Sequence, residues 1–412
     1  MGRAAVMKAP GEPAAPAVRE RLEEFVGRVA GGLRRTEQRR GAERYVRGML
    51  EAGSRKSLEP LVARLGDDGD YEALQHFLAD SPWDPAVLLQ ASAELVCPAL
   101  GVRAWVLDDT GFPKDGKRSP GVKRQYSGTL GKIGNCQLGV SVHAVGDRGT
   151  LPLGWALYLP EDWCDDPGRR ARAKIAAEVS FQTKPELGVE LIERAAGWDI
   201  PRAPVLGDHA YGENSALRAR LHEAGSEYVL SIGPESKAFC ANTAFTVAER
   251  KPGKGGTPRV PRPDRPPRTL RALAEELSCE DFQILAYRDA PDGEPVSSRF
   301  ALRRISAAHP VTRDKLAPRE EWLIVEWPPD QDQPSDYWIS NLPAQTEPER
   351  LARLARMRWS IELDYRQLKG ELGLDHYEGR SYLGWHHHTA LVTVAHAFLT
   401  LERLDPKAQR PA

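Results

Sequence analysis

Cysteine is scarce in this sequence, with five residues among 412. They are scattered, and no two stand in the CxxC spacing of a zinc or redox motif: Cys97, Cys136, Cys164, Cys240 and Cys279. This pattern excludes a secreted fold built on disulfides and gives no sign of a thiolate zinc site. We expect ordinary buried thiols.

Long apolar runs are also missing. No stretch approaches the ~20 apolar residues that a membrane-spanning helix needs, and the first residues, MGRAAVMKAPGEPAAPAV, lack the apolar core of a signal peptide. The sequence therefore predicts a cytoplasmic protein with no membrane association.

A net charge is nearly absent too, at −1, which by itself argues against a nucleic-acid-binding protein. The charge is unevenly distributed, however. Residues 1–64 hold fourteen Lys and Arg against eight Asp and Glu, residues 65–100 hold none against seven, and residues 103–132 hold seven against three. Local basic surfaces are compatible with this distribution, and solvated basic helices are the alternative.

The length predicts two or three domains. Apolar residues at three- and four-residue steps predict an N-terminal α-helical domain at 1–100, with DNA binding as a hypothesis. Three strands and then alternating helices and strands predict an α/β fold with a mixed sheet at 101–236. A Pro/Gly-rich stretch and more strands predict a β-rich insertion at 237–343, and helical periodicity returns at 344–404 before a tail at 405–412.

Acidic residues follow two of the predicted strands. Asp108 and Asp109 end the strand in VLDDT, and Asp208 ends the strand in VLGDHAYG, before a helix. Carboxylates at strand ends can converge into the oxygen-rich site that Mg²⁺ prefers. Side chains alternate along a strand, so only one of Asp108 and Asp109 can face such a site, and Asp109 is the alternative first acid.

A third acid is offered by the predicted helix RWSIELDYRQLKGELGL. Helical spacing places Arg358, Glu362 and Lys369 on one stripe. The adjacent stripe is apolar: Ile361, Tyr365, Leu368 and Leu372. Glu362 is then expected at the edge of the buried face, held toward the sheet. An ordinary surface pair of Arg358 and Glu362, contributing only about 0.3–0.5 kcal/mol, is the alternative.

Several blocks of sequence, in this order, resemble the DDE transposases of the insertion sequence 4-like superfamily, and most closely the insertion sequence 701 family. The resemblance covers the chain from about Trp105 to Phe398, and its blocks include WVLDDTGFPKDGKRSPGVKRQYSGTLGKIGNCQLGVSV, LPLGWALYLPEDW, FQTKPELG, GDHAYG, YWISNLP and RWSIELDYRQLKGELGLDHYEGRSYLGWHHH. The family's final signature has Tyr, Arg, Glu and Lys. Here Arg358, Glu362 and Lys369 match, and Ala355 stands in place of the Tyr.

The resemblance implies an RNase H-like catalytic core with a β-rich insertion, and an enzyme that cleaves transposon ends and transfers strands into target DNA. It implies that Asp108, Asp208 and Glu362 are catalytic and hold two Mg²⁺ or Mn²⁺ ions per site. The family's D-x-T pattern selects Asp108 over Asp109. The expected partners are double-stranded DNA, bound by at least a homodimer, and the expected location is the bacterial nucleoid.

Further DNA contacts are expected from Arg358 and Lys369, which would hold phosphates, and from His209 beside Asp208. The basic loop PKDGKRSPGVKRQYSG predicts a DNA clamp, with a solvated hairpin tip as the alternative. Its candidate residues are Lys114, Lys117, Arg118, Lys123, Arg124 and Tyr126. The basic, Pro-rich segment 251–271 either follows phosphates or is a flexible loop.

Three other classes of protein stay open at this point. They are a transposase-derived DNA-binding protein without catalysis, an RNase H-like nuclease that cuts without joining, and an unrelated α/β hydrolase. The presence of all three acids disfavours the first, and the basic segments disfavour the last. His386, His387 and His388 are not expected to bind a metal, because adjacent residues of a helix point in different directions.

Overall fold

The computed structural model describes residues 16–246, 261–290, 293–308 and 319–405, so residues 251–260 of the basic Pro-rich segment lie outside the described part. The helices are α1 (Pro16–Val29), α2 (Thr36–Leu50), α3 (Leu58–Leu65), α4 (Tyr71–Ala79), α5 (Pro85–Leu100), α6 (Glu161–Cys164), α7 (Pro167–Ala173), α8 (Lys184–Ala196), α9 (His209–Gly212), α10 (Ser215–Glu223), α11 (Leu270–Ala274), α12 (Pro348–Met357), α13 (Ser360–Gly370) and α14 (Tyr382–Leu404).

The strands are β1 (Val102–Pro113), β2 (Lys123–Ser127), β3 (Lys132–Gly146), β4 (Gly149–Leu157), β5 (Val205–Gly207), β6 (Tyr228–Ser231), β7 (Lys237–Cys240), β8 (Phe245–Thr246), β9 (Arg262–Pro263), β10 (Arg268–Thr269), β11 (Gln283–Asp289), β12 (Pro295–Ala307), β13 (Glu320–Trp327) and β14 (Asp336–Ser340). The fold is thus mixed α/β, with sheets and flanking helices, as predicted.

The chain forms two compact units. The first contains Met1–Ala203 together with Trp359–Ala412, and the second contains Pro204–Arg358. Within the described residues, no helix combines the length and the apolar character needed to cross a membrane.

Strand β3 is the centre of the first unit's sheet. It pairs antiparallel with β1 along one edge and with β2 and then β4 along the other. In this register Asp108 lies opposite Ser141, and Val106 lies opposite His143. Directly opposed residues of an antiparallel pair point to the same face, so Asp108, Ser141 and His143 share one face.

The prediction that Asp108 and Asp109 end their strand is wrong. Strand β1 continues through Gly111 to Pro113, because β3 supplies backbone partners as far as Cys136. The glycine and proline that suggested a turn therefore lie inside the strand or at its last position. Both acids sit in the middle of a long ladder.

Helices cover both faces of this sheet. Helix α8 packs on one face, where a Cβ added to Gly188 would come within 2.6 Å of Leu107 Cδ1. Helices α13 and α14 pack on the opposite face, where Trp385 of α14 lies against Phe112. Leu107 and Phe112 occupy alternate positions along β1, so Asp108, in phase with Phe112, faces α13 and α14.

The N-terminal helices belong to the same unit. Helix α5 begins with the Asp84 side chain accepting the N–H of Ala86 and ends at Gly101, whose φ of +66° suits glycine. Helix α14 packs against α2, α4 and α5 and buries an apolar run between Ala390 and Phe398. The helical pattern predicted before residue 100 therefore does correspond to helices.

The second unit has a mixed sheet. Strands β5 and β6 are parallel and are joined through α9 and α10, whereas the order β6, β14, β13, β12, β7 and β10 is antiparallel throughout, with β11 also on β12. Helix α12 covers part of this sheet, and Arg356 forms an ion pair with the buried Glu326 at 3.0 Å.

The helical periodicity predicted after residue 344 is interrupted before Glu362. Helix α12 ends at Met357 and α13 begins at Ser360, with Arg358 and Trp359 in a turn. The two helices bury their apolar faces in different units, which the continuous periodicity did not reveal. Arg358 therefore lies before α13, and only Glu362 and Lys369 share the predicted stripe as helical residues.

Candidate functional site

The two neighbouring acids of β1 have different surroundings. The Asp109 carboxylate receives the Lys184 ammonium, with Nζ 2.6 Å from Oδ2, at the start of α8. Asp108 is 9% exposed, faces α13, and accepts the backbone N–H of Asp109 at 2.8 Å. The Asp109 carboxylate is thus paired with a lysine of α8.

Tyr365 of α13 connects this helix to the face that bears Asp108. Its hydroxyl lies 2.7 Å from the hydroxyl of Ser141, the residue opposite Asp108. Burial, and then the charge of Asp108, raises the pKa of Tyr365 well above its ordinary value. Glu362 stands three residues before Tyr365, which makes the two neighbours on the helix surface, and its side chain is exposed.

Lys369 lies one further turn along α13. Its Nζ donates to the carbonyl of Gly111 at 2.8 Å and to the Thr129 hydroxyl at 3.1 Å, and it lies 5.5 Å from the centre of the Phe112 ring. Burial lowers the pKa of Lys369 to about 8. The lysine is therefore held at the end of β1 and is close to losing its charge at mildly alkaline pH.

Asp208 belongs to the second unit. It follows β5 directly and caps α9, with its Oδ1 accepting the N–H groups of Ala210 at 3.0 Å and Tyr211 at 3.3 Å. Its side chain is half-buried. The predicted placement at a strand end before a helix is found, and the capping bonds give this carboxylate a structural role as well. His209 is exposed, with Nε2 3.1 Å from Glu213 Oε1.

A metal ion would find oxygen donors here. Among the described residues, no group of three or more His, Cys, Asp or Glu side chains is placed to hold a metal ion. The chemistry of the donors nevertheless fits Mg²⁺ or Mn²⁺, because Asp108, Asp208 and Glu362 are all carboxylates. In the first unit, the negative charges of Asp108, Asp109 and Asp364 all raise the pKa of Tyr365. A bound cation would offset this negative potential.

The six residues of the predicted DNA clamp differ in their exposure and in their contacts. Four side chains are exposed: Lys117, Arg118, Arg124 and Tyr126. Lys123 is exposed but paired with Asp162 at 2.8 Å. The Lys114 ammonium is instead held by the carbonyl of Tyr377 at 2.6 Å, and burial lowers the pKa of Lys114. These contacts set Lys114 apart from the other five.

Sequence reasoning missed one buried cluster in the first unit. Asp364 of α13 lies between two histidines, with Oδ2 2.5 Å from His143 Nδ1 and Oδ1 2.9 Å from His396 Nε2. His143 Nε2 is 3.0 Å from the hydroxyl of Ser141. The available signal was the position of each polar residue on an otherwise apolar face of its strand or helix.

The three adjacent histidines of α14 are engaged with other groups. His387 has its ring nitrogens 2.8 Å from the carbonyls of Leu78 and Trp83, and His388 Nδ1 lies 3.0 Å from the Tyr45 hydroxyl. His386 Nε2 accepts the backbone N–H of Leu157 at 3.3 Å. The rings point in three directions, as expected for neighbours on a helix.

The chain belongs to the DDE superfamily endonucleases, because the family model of that description matches residues 28–292. The match includes Asp108 and Asp208 and ends before Glu362. Among curated proteins, the chain is similar to a "probable transposase for insertion sequence element IS701" of Microchaete diplosiphon. The two are 32% identical over 188 residues, which is 45% of this chain and 46% of that protein, so the matched part spans about half of the relative.

The superfamily match confirms that the sequence blocks belong to a DDE endonuclease, and the curated relative is similar over part of its length.

Proposed function

We propose that this chain is a transposase that cuts DNA at the ends of a mobile element and joins those ends to target DNA. The observation that carries the proposal is the placement of Asp108 on the sheet face covered by α13, the helix that bears Glu362. Membership of the DDE superfamily and the partial likeness to the insertion-sequence protein support the reaction.

Asp108, Asp208 and Glu362 would hold Mg²⁺ or Mn²⁺, two ions per site. Bound ions supply activation of water or of a DNA 3′-hydroxyl and stabilise the leaving oxygen. The family's D-x-T pattern favours Asp108 over Asp109, whose carboxylate is paired with Lys184. No covalent protein nucleophile is needed for this chemistry.

Basic side chains would bind the DNA backbone around these acids. Lys369 would present its charge to a phosphate at the end of β1, and Arg358 would do so at the turn before α13. The loop between β1 and β2, together with β2 itself, adds a further exposed surface for DNA: Lys117, Arg118, Arg124 and Tyr126. Exposure and charge support this assignment.

The finer architecture is part of the same proposal. Residues 101–236 and 344–404 would form an RNase H-like core, residues 237–343 its β-rich insertion, and residues 1–100 a DNA-binding helical domain. Two transposon ends held together would require at least a homodimer on the DNA, in the bacterial cytoplasm at the nucleoid.

The test is strand transfer by the purified protein with Mg²⁺ or Mn²⁺, on DNA that carries the flanking ends of its own gene. Asp208→Asn is the matched control, since asparagine also caps a helix and keeps the local fold. Metal-dependent joining that the control lacks would support the transposase. DNA binding without cleavage in both proteins would overturn it.

A nuclease that cuts without joining is the second candidate, because the family description names an endonuclease. The same reaction separates the two candidates. A transposase yields products in which the element's 3′ end is bonded to target DNA, whereas a nuclease yields cleaved ends alone.

A further inference from the structure

We infer that five residues of the first unit, four of them buried and one half-buried, set the position of α13 on the sheet, and so hold Glu362 in register with Asp108. These residues form what we term the polar chain: Tyr365, Ser141, His143, Asp364 and His396. The inference rests on the proposed function, in which both acids bind metal. It assigns to the polar chain a positioning role and no contact with DNA.

The contacts run from one side of α13 to the other. The hydroxyls of Tyr365 and Ser141 are 2.7 Å apart, and Ser141 Oγ is 3.0 Å from His143 Nε2. His143 Nδ1 then lies 2.5 Å from Asp364, which His396 of α14 approaches to 2.9 Å. The polar chain thus joins α13 to β3 on one side and to α14 on the other.

Hydrogen-bond chemistry fixes the direction of one contact in the polar chain. An ionised carboxylate only accepts, so His143 donates to Asp364 through Nδ1. The other ring nitrogen, Nε2, contacts the Ser141 hydroxyl, which in turn contacts the Tyr365 hydroxyl, and each hydroxyl can donate or accept. The last member, Tyr365, is the one whose pKa the charge of Asp108 raises.

The Ser141, His143 and Asp364 arrangement has the composition of a hydrolase triad, but it is sealed. Ser141 and His143 are 0% exposed and Asp364 is 4% exposed. A nucleophile must reach its substrate, and the Ser141 hydroxyl is also engaged by Tyr365. The cluster therefore serves the structure around Asp108 and has no path to a substrate of its own.

Directional contacts fix a helix more closely than apolar packing does. Ile361 and Leu368 bury α13 without a preferred angle. A slip of one residue would rotate the helix by about 100° and would take Asp364 from between its histidines, leaving a buried charge without its partners. The same slip would move Glu362. The contacts of the polar chain that fix the register of α13 therefore also fix the position of Glu362.

The experiment measures metal binding in the full-length protein with two hydroxyl deletions, Tyr365→Phe and Ser141→Ala. Free Mn²⁺ is followed by electron paramagnetic resonance without DNA, and the Mn²⁺ midpoint of DNA cleavage is measured separately. We expect both midpoints to rise about tenfold, at the lower end of the 10–100-fold cost of losing a residue that orients a metal ligand. Saturating Mn²⁺ should restore cleavage.

Tyr45→Phe is the matched control. It deletes the buried hydroxyl of a second tyrosine of the same unit, one that lies 3.0 Å from His388 Nδ1 between α2 and α14. A purely structural hydroxyl should lower thermal stability and leave the Mn²⁺ midpoint unchanged.

The possible outcomes distinguish failure of the positioning role from failure of the proposed function. Midpoints that stay at the wild-type value in Tyr365→Phe, or that rise equally in Tyr45→Phe, would overturn the positioning role alone. Wild-type protein that binds no Mn²⁺, or an Asp108→Asn variant that binds it as well as wild type, would overturn the proposed function and this inference with it.

Discussion

Asp108 and Asp208 look alike in sequence and differ in structure. Each follows a short apolar run, and each was expected at the end of a strand. Asp208 does end a strand, the short parallel β5, and caps a helix with its carboxylate. Asp108 lies instead in the middle of the long antiparallel β1, opposite Ser141.

Different interactions hold the two carboxylates in place. Strand register fixes Asp108, and its neighbours on that face belong to helix α13. Hydrogen bonds to the side chain itself fix Asp208, because the N-terminus of α9 donates to it. A substitution at Asp108 therefore tests chemistry, whereas one at Asp208 tests chemistry and folding together unless the cap is preserved.

The largest effect is expected for Asp108→Asn, which is nearly isosteric. We expect DNA cleavage to fall by about a thousandfold or more, because a charged oxygen ligand is lost, with a melting temperature close to that of wild type. Glu362→Gln should match it. Cleavage that survives either change within tenfold would remove that residue from the site.

Substitutions at Asp208 should have two separable effects, one on cleavage and one on stability. Asp208→Asn is expected to lose cleavage as fully as Asp108→Asn while keeping the helix cap. Asp208→Ala should lose cleavage equally and also lower the free energy of unfolding by about 1 kcal/mol, the usual cost of a lost cap. Urea unfolding of the two variants measures that difference. Equal stability would mean that the cap contributes nothing.

Lys369 predicts a pH dependence in the first unit. Burial lowers the pKa of Lys369 to about 8, so its positive charge is present below pH 8 and is lost as the pH rises through 8. The charged fraction falls about tenfold between pH 7 and pH 9, and DNA affinity should weaken by up to that factor. In Lys369→Arg, whose charge persists, the affinity should stay flat. Fluorescence anisotropy across this range is the measurement.

The smallest effect is expected for Asp109→Asn. This change breaks the pair with Lys184, whose side chain is 32% exposed, and a partly exposed pair contributes at most about 1 kcal/mol. We expect cleavage within about tenfold of wild type, in contrast to Asp108→Asn. If the losses were reversed between the two variants, the first acid would be Asp109.

Local patterns predicted the elements well. Helical spacing predicted the helices before residue 100 and after residue 344, and strand patterns predicted strands in both units. The family blocks, confirmed by the superfamily match, predicted the enzyme class. The domain boundaries and the three-acid site stay predictions.

Features that depend on distant partners were not predicted. Strand β1 passes through Gly111 to Pro113 because β3, some thirty residues away, supplies its hydrogen bonds. The break at Arg358 and Trp359 reflects where α12 and α13 bury their faces, which periodicity does not encode. The loop position of Lys114 gave no hint that the carbonyl of Tyr377 would hold its ammonium.

The polar chain can form only late in the synthesis of the protein. During synthesis, His143 emerges before its partner Asp364, which lies 221 residues later in the chain, and before His396, which lies further on. At the usual 5–20 residues per second, His143 is without these partners for roughly 10 to 50 seconds on the ribosome. The packing of α13 and α14 on this sheet is therefore completed only after nearly the whole protein has emerged, so we expect no DNA-cutting activity from a partly synthesised chain.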